Sequence, residues 1–193
     1  DRPTTSKIRY VAGGQQLLRA DREVTTPIAD DVADAVFRAA ESALEDAGVL
    51  IVSDYGKGTI TDRLVARLIE AASAAGKPVI VDPKSRDFTR YAGASLITPN
   101  LKELGEAADD ELSSEDGIVD AARGLLSHAG IGSILVTRGA QGMSLVTAAG
   151  ADHFPSRARE VFDVSGAGDT VLALLAAGVA AGVPTLEAAQ LAN

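Results

Sequence analysis

Four short apolar runs punctuate the middle of the chain: GVLIVS (48–53), KPVIVD (77–82), ASLITPN (94–100) and GSILVT (132–137). Each has strand length and lacks the alternation of a strand with one wet face, so each is expected to be buried on both faces. The segments between them carry helical spacing. Val32, Val36, Ala40 and Leu44 recur within 29–46, and Leu64, Val65, Leu68, Ile69 and Ala72 mark a helix closed by Gly76. A short helix is expected from Leu101 to about Ala107. Ile118, Ala122, Leu125 and Leu126 mark another, closed by Gly130. Strands that alternate with helices in this way pair in parallel through crossovers, which specifies an α/β fold with a largely parallel sheet.

The flanks differ from this pattern. Ile8 and Tyr10 lead into Gly13-Gly14 and then QQLLRADRE, which reads as a β-hairpin. MSLVT and ADHFP read as antiparallel additions around a turn at Gly150. An Ala/Leu helix is expected from about Ala167 to Gly182, and a last helix begins near Pro184 and reaches Asn193. The chain opens at a hairpin with no strand–helix unit ahead of it and stops inside a helix. It therefore reads as an N-terminally incomplete piece of a longer protein.

Composition narrows the functional classes. A net charge of −9 opposes binding to nucleic acid or to an anionic membrane surface. No apolar run reaches the ~18 residues of a membrane span, and the opening DRPTTSKIRY has no secretory h-region. The absence of cysteine excludes disulfides and thiol chemistry and fits a cytoplasmic location. His128 and His153 are the only histidines, too few and too far apart in sequence for a His-based metal site.

In a parallel sheet, ligands bind beyond the carboxyl ends of the strands. All four apolar runs deliver a cation there: DYGKG with Asp54 and Lys57, DPKSR with Asp82, Lys84 and Arg86, PNLKE with Asn100, Lys102 and Glu103, and TRG with Thr137, Arg138 and Gly139. Any single loop cation is an ordinary solvated residue. Four at one edge of an acidic chain point to a polyanion, with phosphates foremost. Asp82 before Pro83 also reads as a plain turn aspartate.

DVSGAGDT (163–170) adds a second anion device just before the Ala/Leu helix. Gly166 and Gly168 permit close backbone approach, and successive amides at a helix start form an anion nest. Asp169 then sits in the first helical turn, placed to take a proton from an attacking hydroxyl. The same residues also make an ordinary helix cap. No G-K-[ST] follows, so this is no Walker A loop, and the third glycine of a dinucleotide fingerprint is missing.

DVSGAGDT resembles the C-terminal signature of the ribokinase-like (PfkB) carbohydrate kinases, D-T-x-G-A-G-D, with Val164 and Ser165 departing in the middle. NLKE (100–103) resembles the family's N-x-x-E motif, and VTRGAQG (136–142) its strand-to-loop segment at the nucleotide; the three occur in the family's order. SDYGKG (53–58), VDPKSRDFTRYAGASLITPNLKE (81–103) and QQLLRADRE (15–23) resemble one branch, the D-glycero-β-D-manno-heptose 7-phosphate kinases, found alone or as the kinase half of a bifunctional ADP-heptose synthase.

That resemblance implies a three-layer α/β/α ribokinase-like fold, with a lid-type hairpin over 1–26 and a nucleotide-binding core over 27–193. It implies ATP and Mg²⁺ as cofactors, and a monovalent cation is compatible with it. The reaction it implies is phosphorylation of heptose 7-phosphate at the anomeric hydroxyl, a step toward ADP-heptose and lipopolysaccharide core. Asp169 is then the base, and the amides of Gly166, Ala167 and Gly168 the anion hole. Asn100 and Glu103 organise Mg²⁺ through water, with Leu101 and Lys102 beside the nucleotide. Thr137, Arg138, Gly139 and Asn193 line its far side. Arg19, Lys57, Lys84 and Arg86 are candidates for the 7-phosphate or the ATP phosphates, and Asp54 and Asp82 for supporting magnesium or orienting lysines on the substrate side. The implied partners are a small sugar phosphate and, through the hairpin, a second copy of the chain; nucleic acid and membrane are not among them. Missing N-terminal strands would remove sugar contacts and leave this piece inactive alone. Two alternatives stay open: another sugar or nucleoside kinase of the same family, or a non-catalytic nucleotide-binding fragment.

Overall fold

The computed structural model describes residues 2–13, 15–156 and 166–193. Strands β1 (Ser6–Ala12) and β2 (Gln15–Arg22) form a separate antiparallel hairpin, with Ala12 opposite Gln15 and Ser6 opposite Arg22. The rest builds one sheet from β3 (Leu50–Ser53), β4 (Val79–Asp82), β5 (Leu96–Ile97), β6 (Ser133–Thr137), β7 (Met143–Thr147) and β8 (Ala151–Phe154). Spatial order follows chain order; β3 to β6 are parallel and β7 and β8 antiparallel. A run of parallel neighbours joined by right-handed crossovers puts every connecting helix on one face. That face carries α1 (Asp30–Leu44), α2 (Asp62–Ala74), α3 (Leu101–Ala108) and α4 (Glu115–Ala129) over a core that includes Val52, Val65, Val81, Ile97, Leu104 and Ile134. The opposite face carries α5 (Ala167–Ala180) and α6 (Thr185–Ala192), whose Leu172, Leu175 and Ala189 cover Ile80, Leu96 and Leu135. The result is the three-layer α/β/α arrangement.

Local signals set the helix starts. Thr61 caps α2 by accepting from Leu64 N, and Ser114 caps α4 by accepting from Gly117 N. The N-x-x-E motif is itself a capping box: Asn100 Oδ1 accepts from Glu103 N while Glu103 Oε2 accepts from Asn100 N. The α3 helix thus begins just where β5 ends, with Asn100 still bridged to Thr137 of β6.

Two expectations need correction, and one element was not expected. GVLIVS is not buried on both faces: β3 is an edge strand of the sheet formed by the described residues, and Ile51 is 41% exposed. The inward stripe of α1 is not Val32 and Val36, which are exposed, but Ala33, Phe37 and Leu44. Arg67 of α2 stacks 3.9 Å over the Phe37 ring, and Arg63 and Arg67 both pair with Asp34. These contacts turn the Asp34–Phe37 side toward α2 and the valines outward. Finally, the segment after Pro83 holds an unforeseen 3-10 turn, Phe88–Tyr91, whose two aromatics are almost wholly buried.

Candidate active site

The carboxyl ends of β4, β5 and β6 meet the start of α5 around a cavity of about 190 Å³, lined by Asp82, Lys84, Thr98, Asn100, Glu103, Thr137, Gly168 and Val171. Three segments far apart in sequence thus reach one space: the N-x-x-E turn, the end of the VTRGAQG strand and the glycine turn. Gly166 precedes α5 with φ of +79°, a conformation that only glycine adopts without strain, and offers no capping side chain. The first turn of this 14-residue helix therefore presents the backbone amides of Ala167, Gly168 and Asp169, with no side chain among the described residues capping it, in the manner of an anion site. Thr170 Oγ1 donates to Gly166 O at 3.0 Å and fixes that turn. Asp163, Val164 and Ser165 lie outside the described residues.

The electrostatics of the cavity are dominated by carboxylates. Burial, followed by the nearby Glu103 and Asp169 charges, pushes the Asp82 carboxyl up to about 6 against the pull of Lys84. Lys84 Nζ lies 2.6 Å from Glu103 Oε1, and that hydrogen bond holds its ammonium above the usual lysine range. Among the described residues no three His, Cys, Asp or Glu side chains stand close enough to chelate an ion unaided. The donors are nonetheless hard oxygens in excess of cationic partners. Such a set suits a magnesium ion, which keeps several waters and takes one or two carboxylates plus phosphate oxygens.

The remaining candidates lie elsewhere. Arg138 is almost buried, donating to Glu115 at 2.7 Å and to Gln141 O, and it lines a separate cavity of about 290 Å³ with Ser113 and Ser114. Leu101, Lys102 and Arg86 border a larger open groove, about 950 Å³, along the outer side of α3; both cations there pair with Glu106. That groove contains none of the glycine turn, so its size does not make it the reaction site. Gly139 opens a 3-10 turn after β6, and Asn193 Nδ2 donates to Pro155 O at 2.8 Å. Lys57 pairs with Glu23 at 2.6 Å, and Arg19 on the hairpin with Asp21. The cations at the strand ends thus do not converge: Lys57, Lys84 and Arg138 each pair with a different carboxylate, and Arg86 and Lys102 share Glu106 in the outer groove. Among the described residues, Lys84 is the one cation that lines the cavity beside the glycine turn.

Two features escaped the sequence reading. Thr98 and Val171 line the cavity without any motif to mark them. Asp54, read as a ligand group, is 3% exposed and engaged on both oxygens: Oδ1 accepts from Gly56 N at 2.8 Å, and Oδ2 accepts from the Tyr91 hydroxyl at 2.8 Å with Arg90 at 3.4 Å. The aromatic pair at 88 and 91, three apart behind an aspartate, was the available signal.

Comparison with known proteins agrees with this geometry. The model of the pfkB family carbohydrate kinases matches residues 1–193. The chain belongs to the pfkB family. A relative of this pfkB-family chain, the bifunctional protein HldE of Paramagnetospirillum magneticum, is 52% identical over 193 residues, which is 100% of this chain and 40% of that protein. The chain therefore spans less than half the length of the curated relatives that it matches. Among solved structures, Escherichia coli phosphofructokinase-2 in complex with potassium superposes with a TM-score of 0.74 at 22% identity, covering 95% of this chain and 59% of that one. Arabidopsis thaliana ribokinase complexed with ribose and ATP gives 0.71 at 21%, covering 93% and 57%. At that identity the likeness concerns the fold, and it places this pfkB-family chain on the ribokinase scaffold.

Proposed function

We propose that this chain is the nucleotide-side part of a kinase that transfers the γ-phosphoryl group of ATP to heptose 7-phosphate, at the anomeric hydroxyl, giving heptose 1,7-bisphosphate and ADP. The observation that carries the reading is the cavity where Glu103 and Thr137 meet Gly168, which stands beside Asp169 in the first turn of α5. Relatives named bifunctional protein HldE, about half identical across the whole chain, support the heptose branch over other sugar kinases of the family.

In this reading the Asp169 carboxylate removes the proton of the anomeric hydroxyl. The freed oxygen attacks the γ-phosphorus, and the bond to the β-phosphate oxygen breaks to release ADP. The amides of Ala167 and Gly168, with Gly166 setting the turn, hold charge that develops on the transferring group. Magnesium, when bound, neutralises phosphate charge; Glu103, Asp82 and the Asn100 cap would hold its water shell. Lys84, now paired with Glu103, is positioned to exchange that carboxylate for a phosphate oxygen. Thr137 supports the nucleotide side. Arg138 and Asn193 act there indirectly, by fixing the β6–α4 and β8–α6 junctions through Glu115 and Pro155.

The hairpin is proposed as a lid over the sugar and as the contact with a second copy. Ile8, Tyr10, Val11, Leu17 and Leu18 are each more than half exposed on a two-stranded sheet that no layer of described residues covers, and such a ribbon is marginal alone. The test is a substrate panel with the full-length protein and magnesium-ATP, followed by ³¹P NMR. Phosphorylation of heptose 7-phosphate at C1 is expected. Preference for ribose, a nucleoside or fructose 6-phosphate would overturn the heptose assignment.

A further inference from the structure

The loop from Asp54 to Ile60 is held at both ends by one buried cluster. At its start, the Asp54 carboxylate takes Gly56 N, the Tyr91 hydroxyl and Arg90. At its end, Arg90 Nη2 donates to Ile60 O at 2.7 Å and meets Asp62 at 3.0 Å. Arg90 thus spans the loop. A buried carboxylate is tolerable only with such donors, so the cluster stands or falls together. Tyr91 is fully buried, and burial with the Asp54 charge pushes its phenol well above the usual range, which keeps the hydroxyl as the donor.

Between those ends the loop seats two other elements. Gly58 has φ of +75° and lies against the root of the hairpin: a Cβ there would stand 2.3 Å from Thr26 O and 2.7 Å from Thr25 O. Ile28 N donates to Gly58 O at 2.9 Å, Lys57 pairs with Glu23, and the Arg2 guanidinium donates to the carbonyls of Val24, Thr26 and Lys57. On the other side, Gly56 lies under the stem of Lys84; a Cβ there would be 3.4 Å from Lys84 Cγ. Lys84 is the cation that reaches Glu103.

We propose that Tyr91 and Arg90 are positioning residues: acting through Asp54, they lock the 54–60 loop so that the hairpin root and Lys84 are held in register with one another. Neither residue lines the cavity, and the Tyr91 hydroxyl also accepts from Lys84 N at 3.4 Å. Their effect on the reaction passes through the loop and, for Tyr91, also through that bond, coupling lid placement on the acceptor side to the Lys84–Glu103 pair on the phosphate side. The kinetic part rests on the proposed kinase reading; the mechanical part does not.

The test uses the full-length protein, wild type against Tyr91→Phe and Arg90→Lys. Tyr91→Phe keeps the ring against Phe88 and removes one hydroxyl; Arg90→Lys keeps the charge and loses the reach to both loop ends. Amide hydrogen exchange is expected to speed by about tenfold or more in peptides 22–28 and 54–60 together, with α4 unchanged, since each variant removes a hydrogen bond to a charged or buried group. Acceptor KM should rise about tenfold while kcat stays within about threefold, the pattern of lost positioning. Faster exchange confined to 54–60 would show that the hairpin root is independent and overturn the proposal. So would faster exchange throughout the molecule, or a kcat loss at unchanged KM. If no acceptor is turned over even by wild type, the kinase reading fails while the exchange result still judges the latch.

Discussion

Replacing Asp82 with asparagine should stabilise the ligand-free protein at pH 8 while weakening its hold on magnesium-ATP. The carboxyl is raised from 3.8 to about 6, first by burial and then by Glu103 and Asp169. If the whole of that rise appeared as stability, it would amount to about 3 kcal/mol. Asp82 is partly open to solvent, and screening reduces the figure to about 1–2 kcal/mol. The sign follows from linkage. The folded state keeps its proton longer than the unfolded chain, so this group's contribution is fully favourable below pH 4 and is lost as pH rises through 6. An asparagine of the same shape carries no charge to lose. Urea denaturation of both proteins at pH 4 and pH 8, without ligand, reads the effect. The two should nearly coincide at pH 4, and the variant should be about 1–2 kcal/mol more stable at pH 8. An equal gap at both pH values, or a variant less stable at pH 8, would refute the picture of a strained carboxylate waiting for a cation.

Other outcomes follow from the same geometry. Asn100→Ala removes the cap of α3 and should cost about 1 kcal/mol in chemical denaturation, with a raised KM for magnesium-ATP because Glu103 loses its tether. Gly58→Ala places a methyl against Thr26 O at a positive φ. It should cost about 2 kcal/mol or more and accelerate proteolysis at the hairpin root, and unchanged cleavage would contradict the tight seat described for Gly58.

The parallel sheet was legible because KPVIVD, ASLITPN and GSILVT have no polar face to show, and each ended close to where the strand ends. The face of α1 was not, because Val32 and Val36 have the right spacing and the wrong phase. What sets the phase is Arg67 stacked on Phe37, a contact between residues 30 apart in sequence. The glycine turn and Glu103 were legible as motifs that meet at one cavity. The reading of strand-end cations as convergent was less informative, since a position at a strand end fixes where a side chain starts and not which way it leaves: Arg138 turns to Glu115, Lys57 to Glu23 and Arg86 to Glu106. The Asp54–Tyr91 bond spans 37 residues of sequence and has no periodicity to announce it. The capping box carried a signal of its own, an Asn with Glu three residues on, which is a helix-start signature.

In the proposed reaction the Asp169 carboxylate at the start of α5 is the base of the phosphoryl transfer. Asp169→Asn in the full-length protein, assayed for both ATP binding and turnover of heptose 7-phosphate, tests it most directly. Turnover should fall by about 10²–10⁴-fold or more, with ATP affinity kept within a few fold. Turnover close to wild type would contradict the account.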